Sequence, residues 1–111
     1  MLYEIKHSSI HGLGIFAAID LKANTNIGLG MWKIHISEEN NDHSMQRNDL
    51  CTYMNHSINP NVYYKKDRFD NYYFYTKCDV GRGEELFIDY NTFDFEGKKI
   101  FPIKRLKKSC K

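Results

Sequence analysis

Apolar residues along this chain come in short runs separated by glycines and polar clusters, a spacing that fits strands better than helices. Leu2 to Lys6 alternates weakly, and Ile15-Phe16-Ala17-Ala18 follows the turn Gly12-Leu13-Gly14. Between Asn26 and Ile36 the apolar positions 27, 29, 31, 34 and 36 run closer to period two than to a helical period. Glu38 to Met54 is polar, and its apolar residues Met45, Leu50, Tyr53 and Met54 allow one short helix. Val62-Tyr63-Tyr64 and Tyr72-Tyr73-Phe74-Tyr75-Thr76 are rich in β-formers, and Lys65 to Asn71 between them has the charge and Asn of a hairpin loop. Asp79 to Glu84 reads as a turn, and Leu86-Phe87-Ile88 as a further short strand. The pattern predicts a mostly-β domain of short strands with one or two small helices, uninterrupted by repeats or linkers.

Composition bounds this picture. A chain of 111 residues fits a single domain, expected over 1–111, with a modest core. The hydrophobic fraction of 41% and aromatic fraction of 14% exclude a disordered chain. Eight Tyr and seven Phe suit strands and an aromatic-lined cleft, or plain core. A net charge of +2 gives no compositional argument for nucleic-acid binding. Basic residues bunch at Lys98-Lys99 and from Lys104 to Lys108, as a solvated helix face or tail would. Acidic residues at Glu38-Glu39, Asp42, Asp67, Asp70, Asp94 and Glu96 either face a basic peptide or sit on exposed loops. Cys51, Cys78 and Cys110 are scattered and show no metal-ligand spacing, so neither a metal site nor a disulfide framework is expected. Free thiols and the absence of an apolar leader or span lead to the expectation of an intracellular protein, cytoplasmic or nuclear.

Three segments carry candidate chemistry. In Ser9-Ile10-His11-Gly12-Leu13-Gly14-Ile15-Phe16-Ala17, the glycines let the backbone turn tightly and approach a ligand, although a hairpin turn explains them as well. The spacing is not that of a dinucleotide-binding loop. Asn55-His56-Ser57-Ile58-Asn59-Pro60-Asn61 is a dense polar cluster that is hard to bury unless its groups are paired. It is either a bend begun by Asn59-Pro60 or a set of directional hydrogen-bonding groups for backbone and ligand. Gly83-Glu84-Glu85-Leu86-Phe87-Ile88-Asp89-Tyr90-Asn91 is a turn and strand ending on a tyrosine, whose hydroxyl either lines a cleft or sits in the core.

Together and in this order, Gly-x-Gly-x-Phe-Ala, Asn-His-Ser-x-x-Pro-Asn and Gly-Glu-Glu-Leu-x-x-Asp-Tyr resemble the SET-domain family of protein-lysine methyltransferases, from about Glu4 to Phe95. The resemblance implies small β-sheets with a C-terminal pseudoknot that brings Asn55, His56 and Tyr90 together. It implies a cofactor, S-adenosylmethionine, whose methionine part lies against His11, Gly12, Leu13 and Gly14. Asn55 and the backbone of Asn55 and His56 would hold its amino and adenine ends, with Phe93 beside the adenine. Tyr90 would be the catalytic tyrosine in transfer of the methyl to a neutral lysine amine, with S-adenosylhomocysteine as product and no metal. Ile88 and Tyr64 would border the lysine channel; Tyr64, if it points inward, would favour monomethylation, and a register slip would exchange it with Tyr63.

The implied partner is a lysine-bearing protein or peptide, with a histone tail as one candidate, and neither nucleic acid nor membrane is required. A small homodimer would cover the apolar surface of a domain this size. The chain departs from the family in lacking an aromatic-x-Gly motif within Ile27 to Trp32 and in lacking flanking zinc segments, whose place the stretch from Lys98 to Lys111 would take. Such minimal members are known among viruses and bacteria, so a host cell is a further expected location. The alternatives are an inactive SET-fold peptide-binding module and, with less support, a nucleic-acid-binding β-barrel with exposed aromatic platforms.

Overall fold

The computed structural model describes residues 1–37, 42–95 and 98–99. Glu38-Glu39, the basic run from Lys104 to Lys108 and Cys110 lie outside the described residues, as does most of the C-terminal stretch expected to cover the site.

Strands β1 (Tyr3–His7) and β2 (Leu13–Ala17) form an antiparallel hairpin around the first glycine segment, with Ile5 opposite Ile15. β2 continues onto β8 (Glu85–Ile88), which pairs on its other side with the two-residue strand β5 (Asn55–His56), giving a sheet of order β1-β2-β8-β5. The second four-stranded sheet has the order β4-β3-β7-β6, from β3 (Asn26–Ser37), β4 (Asp42–Arg47), β6 (Val62–Lys66) and β7 (Tyr72–Thr76). β9 (Asp94–Phe95) and β10 (Lys98–Lys99) form a small antiparallel pair. One short helix, α1 (Asp49–Tyr53), is capped by Asn48, whose side chain accepts from Cys51 N–H and donates to the Leu29 carbonyl at 2.6 Å.

The fold class matches the expectation of short strands and small sheets. One local reading changes. The polar stretch before α1 was expected to hold only a helix, yet residues 42–47 form β4 along β3, with Trp32 opposite Gln46 and Lys33 opposite Met45. Among the described side chains of this strand only Met45 packs on the core, so the pairing comes from the backbone edge of β3 and not from an apolar pattern. The hairpin at 67–71 forms as expected: Asp67 accepts from the N–H groups of Phe69 and Asn71, and Asp70 binds Lys33 at 2.7 Å.

The core lies between the sheets and centres on Ile15, Met31, Tyr72, Phe74, Leu86 and Phe93, each with no exposed surface. Each such side chain contributes about 1.5–3 kcal/mol by leaving water. Packing is close enough to exclude a methyl group in places: a Cβ on Gly30 would lie 2.8 Å from the Phe74 ring. Cys51 is part of this interior, and burial pushes its thiol up to about 12, whereas Cys78 is exposed. Among the described residues no helix is long and apolar enough to cross a membrane.

Candidate active site

The site is built where β8 crosses the Asn55–Asn61 loop. β5 pairs with β8 in parallel, with Asn55 opposite Phe87 and His56 opposite Ile88. Parallel neighbours cannot be joined by a tight turn, so the chain between them makes the long excursion through β6 and β7 before returning. The Asn61 side chain then fastens the returning strand. Its Nδ2 donates to the Glu85 carbonyl at 3.0 Å and its Oδ1 accepts from Phe87 N–H at 2.7 Å.

Tyr90 follows directly. Its backbone N–H donates to His56 Nδ1 at 3.0 Å, and its hydroxyl donates to the Met54 carbonyl at 2.8 Å. The His56 and Tyr90 rings lie 5.1 Å apart, and both side chains are buried. Because Nδ1 accepts this bond, the proton of neutral His56 sits on Nε2. Burial lowers the His56 pKa, an effect opposed by the Asp89 carboxylate 3.7 Å from Nδ1.

Asn55 serves the first segment. Its Nδ2 lies 3.1 Å from the His11 carbonyl, 3.3 Å from that of Leu13 and 2.9 Å from Glu85 Oε2. An amide nitrogen has two hydrogens, so these acceptors compete for them. The two glycines of the turn have different causes. Gly12 holds φ +47 with open space where a Cβ would be, so its backbone conformation asks for glycine. At Gly14 the place of a Cβ is taken by the Glu85 carboxylate, so glycine is needed there to admit a neighbouring side chain.

The register puts the adjacent tyrosines of β6 on opposite faces of the sheet. Tyr64 is opposite Phe74 and shares its inward face, while Tyr63 is opposite Tyr75 and stacks on it from outside. Tyr64 stacks on Phe93 with centroids 4.8 Å apart and donates its hydroxyl to the Thr92 carbonyl at 2.7 Å. A cavity of about 460 Å³ opens beside it, bordered by Pro60, Tyr63, Lys77, Asp89 and Thr92. Of the expected site residues, only Tyr64 lines this cavity.

The expected residues therefore form three connected groups: Asn55 with His11 and Leu13, His56 with Tyr90, and Tyr64 with Phe93. Ile88 is buried opposite His56 and links the first two through β8. Phe93, expected beside an adenine, has no exposed surface and packs against Tyr64, Tyr72 and Phe74, so in this state it presents no open ring face. Glu85 and Ser8 were not among the expected residues, yet they tie Asn55 to the glycine turn within the first group; the only sequence signal was their place inside the quoted motifs and just before them. Among the described residues no cluster of His, Cys, Asp and Glu has the makings of a metal site.

Comparison with known proteins gives this arrangement a family. A search of curated proteins returns no significant match. Among solved structures, a Plasmodium falciparum protein described as a candidate histone methyltransferase is similar, with a TM-score of 0.64 and 22% identity over 82% of this chain and 94% of that one. At that identity the likeness speaks for the fold. The model of the SET domain matches residues 29–91, more than half of the 111-residue chain and a segment that includes Asn55, His56 and Tyr90. The chain belongs to the SET-domain family.

Proposed function

We propose that this protein is an S-adenosylmethionine-dependent protein-lysine N-methyltransferase in which Tyr90 is the catalytic tyrosine. Members of its family are generally protein-lysine methyltransferases that use this cofactor. The observation that carries the reading is the double fixing of Tyr90, whose N–H is held by His56 and whose hydroxyl is held by the Met54 carbonyl. Oriented by the Met54 carbonyl, the Tyr90 hydroxyl would accept an N–H from an approaching amine. An amine held in that way keeps its own lone pair free for attack, and most of the acceleration then comes from orientation.

S-adenosylmethionine, when bound, supplies the electrophilic methyl group and leaves as S-adenosylhomocysteine. The residues present fit its methionine end: the His11 and Leu13 carbonyls and Glu85 Oε2 converge on one amide nitrogen, a grouping suited to a ligand rich in N–H donors. His11, Gly12, Leu13, Gly14, Asn55 and His56 would hold it. Tyr64, Ile88 and the neighbouring aromatics would border the lysine, and a low-polarity channel lowers the pKa of an entering ammonium toward the neutral form that the reaction needs. A histone tail is the first substrate to try, carried over from the description of the Plasmodium protein.

The test is transfer of labelled methyl from S-adenosylmethionine to core histones, comparing wild type with Tyr90→Phe. Wild type is expected to transfer, and the variant to lose about a hundredfold or more in rate, the scale of removing one preorganised polar group. Equal rates in the two proteins would remove Tyr90 from the mechanism. Failure of the wild type to methylate while binding S-adenosylhomocysteine would favour a peptide-binding module that has lost the chemistry.

A further inference from the structure

Glu85 opens β8, and its main chain is immobilised on both sides. Its Cα is registered against Phe16 and its carbonyl accepts from Asn61. From this fixed root the carboxylate reaches into the space that Gly14 leaves free. Oε1 accepts from Ser8 Oγ at 2.8 Å and Oε2 accepts from Asn55 Nδ2 at 2.9 Å. Ser8 in turn organises the glycine turn, donating its N–H to the Gly12 carbonyl at 2.7 Å and accepting from Ile10 N–H at 3.0 Å. One carboxylate thus sets both the turn and the asparagine.

Its charge is the part that a purely structural staple does not require. Among the described residues no lysine, arginine or histidine nitrogen forms an ion pair with Glu85. The carboxylate shares its surroundings with the His11 and Leu13 carbonyls, which approach the same Nδ2. Three oxygens compete for two hydrogens there, and the net charge is negative. Such a grouping gains from a ligand that brings positive charge and several N–H donors together.

We infer that Glu85 is a charged positioning residue for the amino-acid end of the cofactor, holding Asn55 and the His11–Gly14 turn while its carboxylate favours the ligand's ammonium group. This rests on the methyltransferase reading above.

The experiment is calorimetric titration of the whole chain with S-adenosylhomocysteine, alongside thermal melting and steady-state kinetics. Glu85→Gln keeps the shape, since its carbonyl oxygen can accept from Asn55 and its amide can donate to Ser8. It is expected to melt within a few degrees of wild type yet bind about tenfold more weakly, with KM for S-adenosylmethionine rising in parallel and KM for the peptide unchanged. Binding within twofold of wild type would overturn the inference and leave the methyltransferase reading intact. Failure of wild type to bind at all would overturn both. Should Glu85→Gln not fold, Ser8→Ala decides: it removes one tie and keeps the charge. Affinity within threefold of wild type is expected, and a tenfold loss would mark Glu85 as a mere staple.

Discussion

Replacing Asn61 by alanine is expected to loosen the crossing on which the site stands. The Asn61 amide acts toward β8 as a neighbouring strand would, giving a donor to the Glu85 carbonyl and an acceptor to Phe87 N–H. Alanine leaves both backbone groups without that partner. A buried group left unsatisfied costs about 1–3 kcal/mol, and because these bonds are only partly buried the lower end applies, for a total of about 2 kcal/mol. In a domain of this size that corresponds to a fall in Tm of roughly 8 °C. Urea unfolding followed by the fluorescence of Trp32, the single tryptophan, reads the change directly, with the slope expected to stay constant. Asn61→Asp is the sharper variant. It keeps the acceptor for Phe87 but sets a carboxylate oxygen against the Glu85 carbonyl, so at neutral pH it should be at least as unstable as Asn61→Ala. Protonation restores a donor, so the folded state raises the pKa of the new acid, and the deficit relative to wild type should shrink as pH falls through that raised value. Asn61→Ala within about 0.5 kcal/mol of wild type, the range of an ordinary surface change, would refute the reasoning.

Three further outcomes follow from the same geometry. The pKa of His56 is lowered by burial, so the unfolded chain takes up a proton at this residue more readily than the folded one. Its contribution to stability is full above the ordinary value of 6.5 and is lost as pH falls below it, an effect that His56→Gln should remove from a stability–pH profile. Gly14→Ala forces a methyl group onto the Glu85 carboxylate and should cost about 1–3 kcal/mol by overpacking, together with cofactor affinity. Gly12→Ala meets no atom within 4 Å and should cost about 1–2 kcal/mol from its left-handed backbone alone, so unfolding and titration of the pair separate the two causes. Tyr64→Phe removes a hydroxyl that can restrain a lysine still bearing N–H groups, and mass spectrometry of the product should show a shift toward higher methylation; an unchanged distribution would clear Tyr64 of this role.

Much of the fold could be read in the chain because most strands carry their own signal. The alternation between Asn26 and Ile36, and the aromatic runs at 62–64 and 72–76 with a charged loop between them, correspond to β3, β6 and β7. β4 could not be read, since all its residues but Met45 are polar and its partner is a backbone edge supplied by another segment. β5 has two residues, too few for any periodicity, and its parallel pairing with β8 is a property of the whole topology. The same limit applies to the site. Motif order brought Asn55, His56 and Tyr90 into consideration, but nothing local distinguishes Tyr63 from Tyr64, because facing is set by register across β6 and β7. Glu85 was hidden for a related reason. Its partner in shape is Gly14, and an absent side chain says nothing in sequence about which atom uses the space. Phe93 shows another limit, as its place after the tyrosine suggests a ligand role but says nothing of the ring stacking on Tyr64 that the fold gives it.

The buried polar residues show why stability and chemistry are joined in this domain. Among the described residues these are Asn55, His56 and Thr76, and the first two lie at the crossing. Where segments cross without a long ladder, backbone groups lack regular partners and would remain unpaired inside the protein. Side chains replace those partners: Asn55 for the His11 and Leu13 carbonyls, His56 for Tyr90 N–H, and Asn61 for a carbonyl and an N–H on one edge of β8. Thr76 does the same farther away, bridging Thr25 N–H and the Lys22 carbonyl. A minimal domain has little other material with which to aim a tyrosine, so the groups that close the crossing also orient Tyr90. Substitutions at Asn61 should therefore lower activity in step with unfolding free energy. Tyr90→Phe should depart from that line, losing far more activity than its stability change accounts for, because on the proposed mechanism it removes the oxygen that meets the amine.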